Sequence, residues 1–205
     1  MLQLQTVLPD TLELLKELSA RPEMSGLRLV GGTALALQYG HRQSIDLDFF
    51  GAPQVEQDEI IEMLSTLGPI SILNRSRKIL QVVLRNIKVD VIDYSQYPWI
   101  SAPVVEDGVT LASPQDIAAM KINAVEGRGT RKDFVDIYFL LQHYSLSQML
   151  DFYAQKYPNY SLFRALLSLT YFDDAEQQAM PKMLANASWE EIKTTITKEV
   201  SKLQK

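Results

Sequence analysis

Hydrophobic and polar positions alternate between two periods along the first half of the chain. Leu12, Leu14, Leu15 and Leu18 follow Pro9-Asp10 at helical spacing and stop before Pro22, which predicts an amphipathic first helix. Leu27 to Val30 reads as a buried strand. After Gly31-Gly32, Thr33 to Tyr39 reads as a short helix with Thr33 near its cap, and Ile45 to Phe50 as the next strand. Ile60, Ile61, Met63, Leu64 and Leu67 give Glu56 to Leu67 a helical stripe that ends at Gly68-Pro69. Leu80 to Leu84 and Ile87 to Ile92 are rich in β-branched residues and flank Arg85-Asn86, the pattern of a hairpin.

From Ser113-Pro114 onward the helical period takes over. Helices are predicted over Gln115 to Glu126, Arg131 to His143, Ser147 to Lys156, Leu162 to Leu169 and Ser188 to Leu203, the last opened by the capping pattern Ser188-Trp-Glu-Glu191. The chain therefore divides into an α/β part, residues 1–112, and a helical part, residues 113–205. No internal repeat or low-complexity stretch interrupts either.

Composition narrows the chemistry. The 205 residues are 46% apolar and 22% charged, ordinary for a globular protein with a real core. Cysteine is absent, which excludes disulfides and thiolate-bound zinc, so a metal would be held by oxygen, helped at most by His41 or His143. The N-terminus lacks the order of a signal peptide, and no apolar run approaches the roughly 20 residues of a membrane span. The expected location is the cytoplasm, away from any membrane. A net charge of −5 argues against a generally basic nucleic-acid coat, although two basic clusters stand out. Arg75, Arg77, Lys78, Arg85 and Lys88 crowd the hairpin, and Arg128, Arg131 and Lys132 crowd an interhelical turn; each reads as solvated charge or as phosphate contacts.

The paired aspartates are the clearest candidate chemistry. Side chains alternate faces along a strand, so Ile45, Leu47 and Phe49 are expected to enter the core while Asp46 and Asp48 stand together on the other side. Neighbouring carboxylates repel unless a cation or protons intervene, and aspartate is disfavoured in strands. Alternation along Ile87 to Asp93 likewise sends Ile87, Val89 and Val91 inward and puts Lys88 and Asp90 on the opposite face. Asp90, preferred to Asp93, could complete a metal site or take a proton from an attacking hydroxyl. Gly31-Gly32-Thr33, at the mouth of a helix and 15 residues before Asp46, could present backbone N–H groups to phosphate. Arg42 and Ser44 flank the aspartates and could contact the same phosphates.

The helical part offers a second group. Lys121 sits within the apolar stripe of Ile117, Met120, Ala124 and Val125, where a lysine snorkels or reaches across to a charged ligand. Asp133 and Asp136 share a face beside the stripe of Phe134, Ile137, Tyr138 and Leu141. In the plainer account Asp133 favours the helix N-terminus and Asp136 pairs with Lys132.

Gly31-Gly32-Thr33, then Arg42-x-Ser44-x-Asp46-Leu47-Asp48-Phe49, then Val89-Asp90, then Lys121 and Arg128 ahead of Lys132-Asp133-x-x-Asp136, together resemble the nucleotidyltransferases of the AbiEii toxin family, to which the MenT toxins are related. The resemblance runs in order from Leu27 to Leu141. It implies an α+β, polymerase-β-like nucleotidyltransferase fold: a mixed sheet flanked by helices, followed by a helical C-terminal part. It also implies that Asp46 and Asp48 bind magnesium (or manganese) and the nucleoside triphosphate, that Lys121 contacts the triphosphate, and that Asp136 is the catalytic carboxylate of the last motif. Ser44 and Arg42 would line the same pocket, with Arg128, Lys132 and Asp133 in support. Toxins of this family add nucleotides to transfer RNA or otherwise block translation, and a companion antitoxin is often encoded beside them.

The expected function is a metal-dependent transfer of a nucleoside monophosphate from a triphosphate to an acceptor, RNA such as transfer RNA, by the toxin of a toxin–antitoxin or phage-defence pair. Asp90 or Asp136 would orient or deprotonate the nucleophile. Competing readings are a protein-modifying nucleotidyl- or phosphotransferase and a catalytically silent nucleotide-binding module.

Overall fold

A computed structural model describes residues 1–203; residues 204–205, the end of the expected helical part, lie outside them. The chain forms two compact units. Met1–Gln38, Ser44–Tyr97 and Pro103–Ala112 make the first, whereas Tyr39–Gln43, Pro98–Ala102 and the chain from Ser113 onward make the second. Neither unit is one continuous stretch of sequence.

Among the described residues, the first unit holds one mixed sheet of seven strands. They are β1 (Leu27–Leu29), β2 (Leu47–Gly51), β3 (Ile70–Arg75), β4 (Ile79–Leu84), β5 (Ile87–Asp93), β6 (Val104–Glu106) and β7 (Val109–Leu111), in the order β3-β4-β5-β2-β1-β7-β6. The β2–β5 and β1–β7 pairs are parallel and the remaining pairs antiparallel. Three helices accompany the sheet: α1 (Pro9–Ser19), α2 (Gly31–Tyr39) and α3 (Gln57–Leu67). The predicted stripes supply its core, with Leu14, Leu15, Leu18, Ile60 and Leu64 buried along with Leu29, Leu47, Leu80, Val82 and Val89. Helix α2 is buried from Thr33 to Leu37, as expected for a segment apolar on every side.

The β4–β5 hairpin turns on Arg85 and Asn86, both at positive φ (52° and 62°), the geometry of a type I′ turn whose twist matches its strands. Strand β2 begins two residues later than its apolar alternation suggests. The Ser44 N–H donates to the Thr6 carbonyl, and the Asp46 carbonyl accepts from the Thr33 hydroxyl, so both backbone groups are used outside the ladder. Ile45, expected in the core, is instead 59% exposed. Strands β3, β6 and β7 escape the sequence pattern for physical reasons. β3 lies at one end of the strand order and is exposed over most of its length, which erases alternation, while three-residue strands are too short to show a period.

The second unit is helical: α4 (Pro114–Gly127), α5 (Arg131–Leu140), α6 (Leu146–Lys156), α7 (Leu162–Ser168), the single turn α8 (Asp173–Glu176) and α9 (Trp189–Leu203). Ser113 caps α4 by accepting from the Asp116 N–H, with Pro114 at the first position; Ser145 and Gln148 form a capping box on α6. Helix α5 is buried from Asp133 to Leu140, so it has no solvated acidic face of the kind its apolar stripe suggests. The segment Tyr39–Gln43 is held in this unit by backbone bonds from Gln43 N–H to the Lys182 carbonyl and from the Leu184 and Ala185 N–H groups to the His41 carbonyl. Pro98–Ala102 is held by a buried ion pair. Lys156 Nζ lies 2.8 Å from both Asp116 Oδ1 and the Pro98 carbonyl, and Asp116 also accepts from the N–H groups of Ile100 and Ser101. No helix among the described residues is long and apolar enough to cross a membrane.

Candidate active site

In the first unit two sequence candidates, Asp48 and Asp90, meet on adjacent strands. The parallel register of β2 and β5 sets Asp48 directly beside Asp90, and the antiparallel register of β4 and β5 sets Gln81 beside Asp90 on its other side. Gln81 Nε2 donates to Asp90 Oδ2 at 2.7 Å, and Asn74 on β3 donates to Gln81 Oε1 at 3.3 Å. A polar row thus runs Asn74, Gln81, Asp90, Asp48 across four strands. Sequence reading missed Gln81, although a two-residue turn at Arg85-Asn86 places residue 81 opposite residue 90 by counting back from the turn.

Lys88, two residues before Asp90 on the same face, donates to Asp90 Oδ2 at 2.7 Å. Burial alone would lower its pKa. The hydrogen bond and charge of Asp90, joined by the charges of Asp48 and Asp46, outweigh burial and raise it above the ordinary lysine value. Asp90 is only 5% exposed, and its second oxygen, Oδ1, is buried without a hydrogen-bond partner. An unpaired buried carboxylate oxygen is costly and calls for a ligand or a reacting group.

Gly31 opens α2 at φ +68°, and a Cβ placed on it would lie 2.7 Å from Asp48 Oδ2. The glycine therefore makes room for the carboxylate as well as for the turn. Gly31→Ala is expected to cost about 1–2 kcal/mol from the left-handed backbone and to push the Asp48 carboxylate aside, measurable as a lowered denaturation midpoint with reduced activity. Gly31, Gly32 and Thr33 are the first residues of α2, whose N–H groups have no acceptor one turn back within the helix. The Thr33 side chain is buried; its hydroxyl donates to the Asp46 carbonyl and is hydrogen-bonded to Ser44 Oγ at 2.9 Å. Thr33 and Ser44 thus fix the backbone that carries Asp46.

Asp48 and Asp90 offer oxygen donors of the type an implied divalent cation takes. Carboxylate oxygens are the ligands magnesium and manganese prefer, Asp48 and Asp90 are side by side in register, and Asp90 Oδ1 is unpaired. Among the described residues, no group of three or more His, Cys, Asp or Glu side chains is gathered so as to hold a metal ion. The Lys88 ammonium pairs with Asp90 instead.

The other candidates lie in the second unit and form a cluster of their own. Lys121 is buried and does not snorkel: its Nζ lies 2.9 Å from Asp133 Oδ1 and 2.6 Å from Asp136 Oδ2. Arg42, expected at phosphate, is buried with Nε and Nη2 forked onto Asp136 at 2.7 and 2.9 Å, and its Nη1 donates to the Gln43 carbonyl. His41 Nε2 is also 2.8 Å from Asp136 Oδ1. The partners of Asp136 are therefore His41, Arg42 and Lys121, while Lys132, its partner in the plainer sequence account, is exposed. Arg128 and Thr130 donate to Asp133, whose position at the start of α5 suits a carboxylate. Burial alone would raise both aspartates. For Asp136 the charges of Arg42 and Lys121 win, and for Asp133 the charge of Lys121 and the bonds from Arg128 and Thr130 win, holding both well below the usual carboxylate range.

The basic cluster of the hairpin is dispersed. Arg75 pairs with Asp58, Arg85 forks onto Glu17, Lys78 donates to Gln96, and Lys88 serves Asp90. Of the five, Lys88 is the one that shares the face of Asp90.

Comparison with known proteins agrees with this frame. Residues 13–203 match the family model of the nucleotidyl transferase AbiEii toxin, type IV toxin–antitoxin system. An uncharacterized protein of Aquifex aeolicus (strain VF5) is 33% identical over 178 residues, covering 84% of this chain and 85% of its own length. Among solved structures, a candidate nucleotidyltransferase from H. pylori superposes with a TM-score of 0.55 at 20% identity, covering 96% of this chain and 97% of its own. ANT(2")-Ia in complex with adenylyl-2"-tobramycin superposes at 0.58 and 16% identity, covering 74% and 98%. The mixed sheet with its flanking helices is thus the polymerase-β-like nucleotidyltransferase fold, and the chain belongs to the AbiEii family of nucleotidyltransferase toxins.

Proposed function

We propose that this nucleotidyltransferase moves a nucleoside monophosphate from a nucleoside triphosphate to a hydroxyl of RNA, with transfer RNA the first candidate, as the toxin of a toxin–antitoxin pair. The observation that carries the reading is the side-by-side register of Asp48 and Asp90 with the unpaired Asp90 Oδ1, beside a glycine shaped around Asp48. Asp46, Asp48 and Asp90 would hold the divalent cation, which when bound supplies positive charge against the triphosphate. Backbone N–H groups of Gly31, Gly32 and Thr33 orient the phosphates at the mouth of α2. The acceptor oxygen attacks the α-phosphorus, a new oxygen–phosphorus bond forms, the bond to the β-phosphate oxygen breaks, and pyrophosphate leaves.

The acceptor proton passes to Asp90, not Asp136. Both oxygens of Asp136 are already occupied by cationic donors, and a carboxylate held so far below its usual range is a poor base. Lys121, Asp133, Asp136 and Arg42 are instead read as the ionic scaffold of the helical unit. Support for an RNA acceptor comes from Asn74 and Gln81, whose amides lead from exposed β3 to Asp90 and suit bases and ribose hydroxyls.

Incubation of the purified chain with each α- or γ-labelled triphosphate, magnesium and total RNA tests the reading. Label from the α position is expected in the RNA fraction. Label only in protein would move the acceptor to the protein class, and transfer only from the γ position would overturn nucleotidyl transfer.

A further inference from the structure

The helical unit contains a cavity of about 450 Å³ whose lining residues take no part in the reaction proposed above. Its walls include Asn123, Glu126 and Gly127 of α4, Asn159 and Tyr160 of the loop after α6, and Arg164 of α7. That volume falls in the range of roughly 300–1,000 Å³ typical of small-ligand sites.

Tyr160 supplies an aromatic wall. Its ring stacks on Tyr157, with centroids 5.2 Å apart and planes 28° from parallel, and Tyr157 in turn lies 5.2 Å from Tyr153. Tyr153 and Tyr157 are buried, whereas Tyr160 is 44% exposed. The column is thus anchored in the core and ends at the cavity. The Tyr160 N–H donates to the Tyr157 carbonyl at 3.0 Å, so a tight turn holds the outer ring in place.

Polar groups surround that ring. Glu126 Oε2 accepts from the Tyr153 hydroxyl at 2.6 Å, and burial together with this bond holds the phenol above its ordinary pKa, as a donor. Arg164 Nε lies 3.3 Å from Glu126 Oε1, but the arginine side chain is 73% exposed, so water screens the pair and an incoming anion can compete for it. Asn123 and Asn159 add amides, each able to donate and to accept. Gly127 ends α4 without a positive φ, and a Cβ built on it meets nothing within 4 Å. Neither backbone nor packing asks for this poor helix former; its effect is to leave the cavity open.

We propose that the cavity binds a nucleobase together with its phosphate: the base stacks on Tyr160, its polar edge meets Asn123 and Asn159, and Arg164 takes the phosphate. Aromatic stacking accepts any base, amides match the donors and acceptors of base edges, and a guanidinium forks onto phosphate. A neutral sugar would give Arg164 no anion, and an apolar side chain would strip water from the amides without replacing its hydrogen bonds. The base belongs to a single strand of RNA or to a free mononucleotide, because in a duplex its faces are covered by neighbouring bases.

Fluorescence anisotropy of labelled single-stranded hexaribonucleotides, in EDTA and without triphosphate, tests this, with AMP, GMP, CMP and UMP as unlabelled competitors. The wild type is expected to bind the single strands more tightly than a matched duplex. Tyr160→Ala should weaken binding about tenfold, whereas Tyr160→Phe should retain it. Gly127→Leu, which fills the cavity, should also weaken it, and Arg164→Gln should weaken it with a shallower salt dependence. Thermal unfolding checks that each variant is folded. Displacement by a mononucleotide that depends on Tyr160 would assign the cavity to free nucleotides, and strand binding without such displacement would assign it to RNA. The proposal is overturned if the wild type binds neither ligand, if duplex binds as tightly as single strand, or if Tyr160→Ala and Gly127→Leu bind as the wild type does. No transfer is measured, so the label-transfer test of the reaction stands or falls separately.

Discussion

Asp48→Ala is expected to lower transfer of an α-labelled nucleotide by at least about 10³-fold, equivalent to about 4 kcal/mol of transition-state stabilisation, while the protein stays folded. The substitution leaves the β2 backbone and its ladder to β1 and β5 in place. It removes one of two carboxylates that stand side by side, so stability should hold or rise slightly, because Lys88 still neutralises Asp90. A second measurement sharpens the result. The steric part of the Gly31→Ala penalty arises against Asp48 Oδ2, whereas the backbone part does not. Introducing Gly31→Ala into the Asp48→Ala background should therefore cost less stability than in the wild type, a coupling visible in denaturant melts. Unchanged label transfer by a folded Asp48→Ala protein would remove Asp48 from the active site.

Asp136→Ala should cost about 3–5 kcal/mol of stability, the range for removing one partner of a buried ion pair. Its carboxylate accepts from Arg42, Lys121 and His41 with no exposure of its own, and its loss leaves a buried guanidinium and ammonium short of negative charge. The same cluster sets an acid limit. Asp136 is held below its unfolded value, so its contribution is complete above the unfolded carboxylate pKa of about 4 and is lost as pH falls toward the folded value. Wild-type stability should therefore fall steeply on acidification below about pH 4, and Asp136→Asn should show a lower plateau with a shallower fall. Urea titrations from neutral to acid pH check both. A variant as stable as wild type at neutral pH would show that Asp136 is not the scaffold its contacts describe.

The legible parts of this protein are those governed by local rules. Periodicity marked α1, α3, α4, α5, α6, α7 and α9, because each carries its own apolar stripe, whereas the single turn α8 is too short to show one. The hairpin was legible because a two-residue turn dictates register, and with it the faces of Lys88 and Asp90. Strands β3, β6 and β7 were not, since an exposed or three-residue strand carries no period. Ile45 misled because its neighbours Ser44 and Asp46 bond outside the sheet, which no alternation rule anticipates.

For the candidate site, the sequence alone singled out the candidates: the Gly31-Gly32 turn, Asp46, Asp48, Asp90 and the charged residues of α4 and α5. Their order also carried the family resemblance. Tertiary structure decided which of these charges face one another. Asp90 meets Asp48 through a parallel pairing between strands 36 residues apart before any contact can form, and Asp136 meets Arg42 across 94. Long-range pairing of this kind depends on loop closure and packing rather than on local propensity. That is why the carboxylate and lysine motifs looked equivalent in the sequence, while in the fold Asp90 keeps an unpaired oxygen and Asp136 has none to spare.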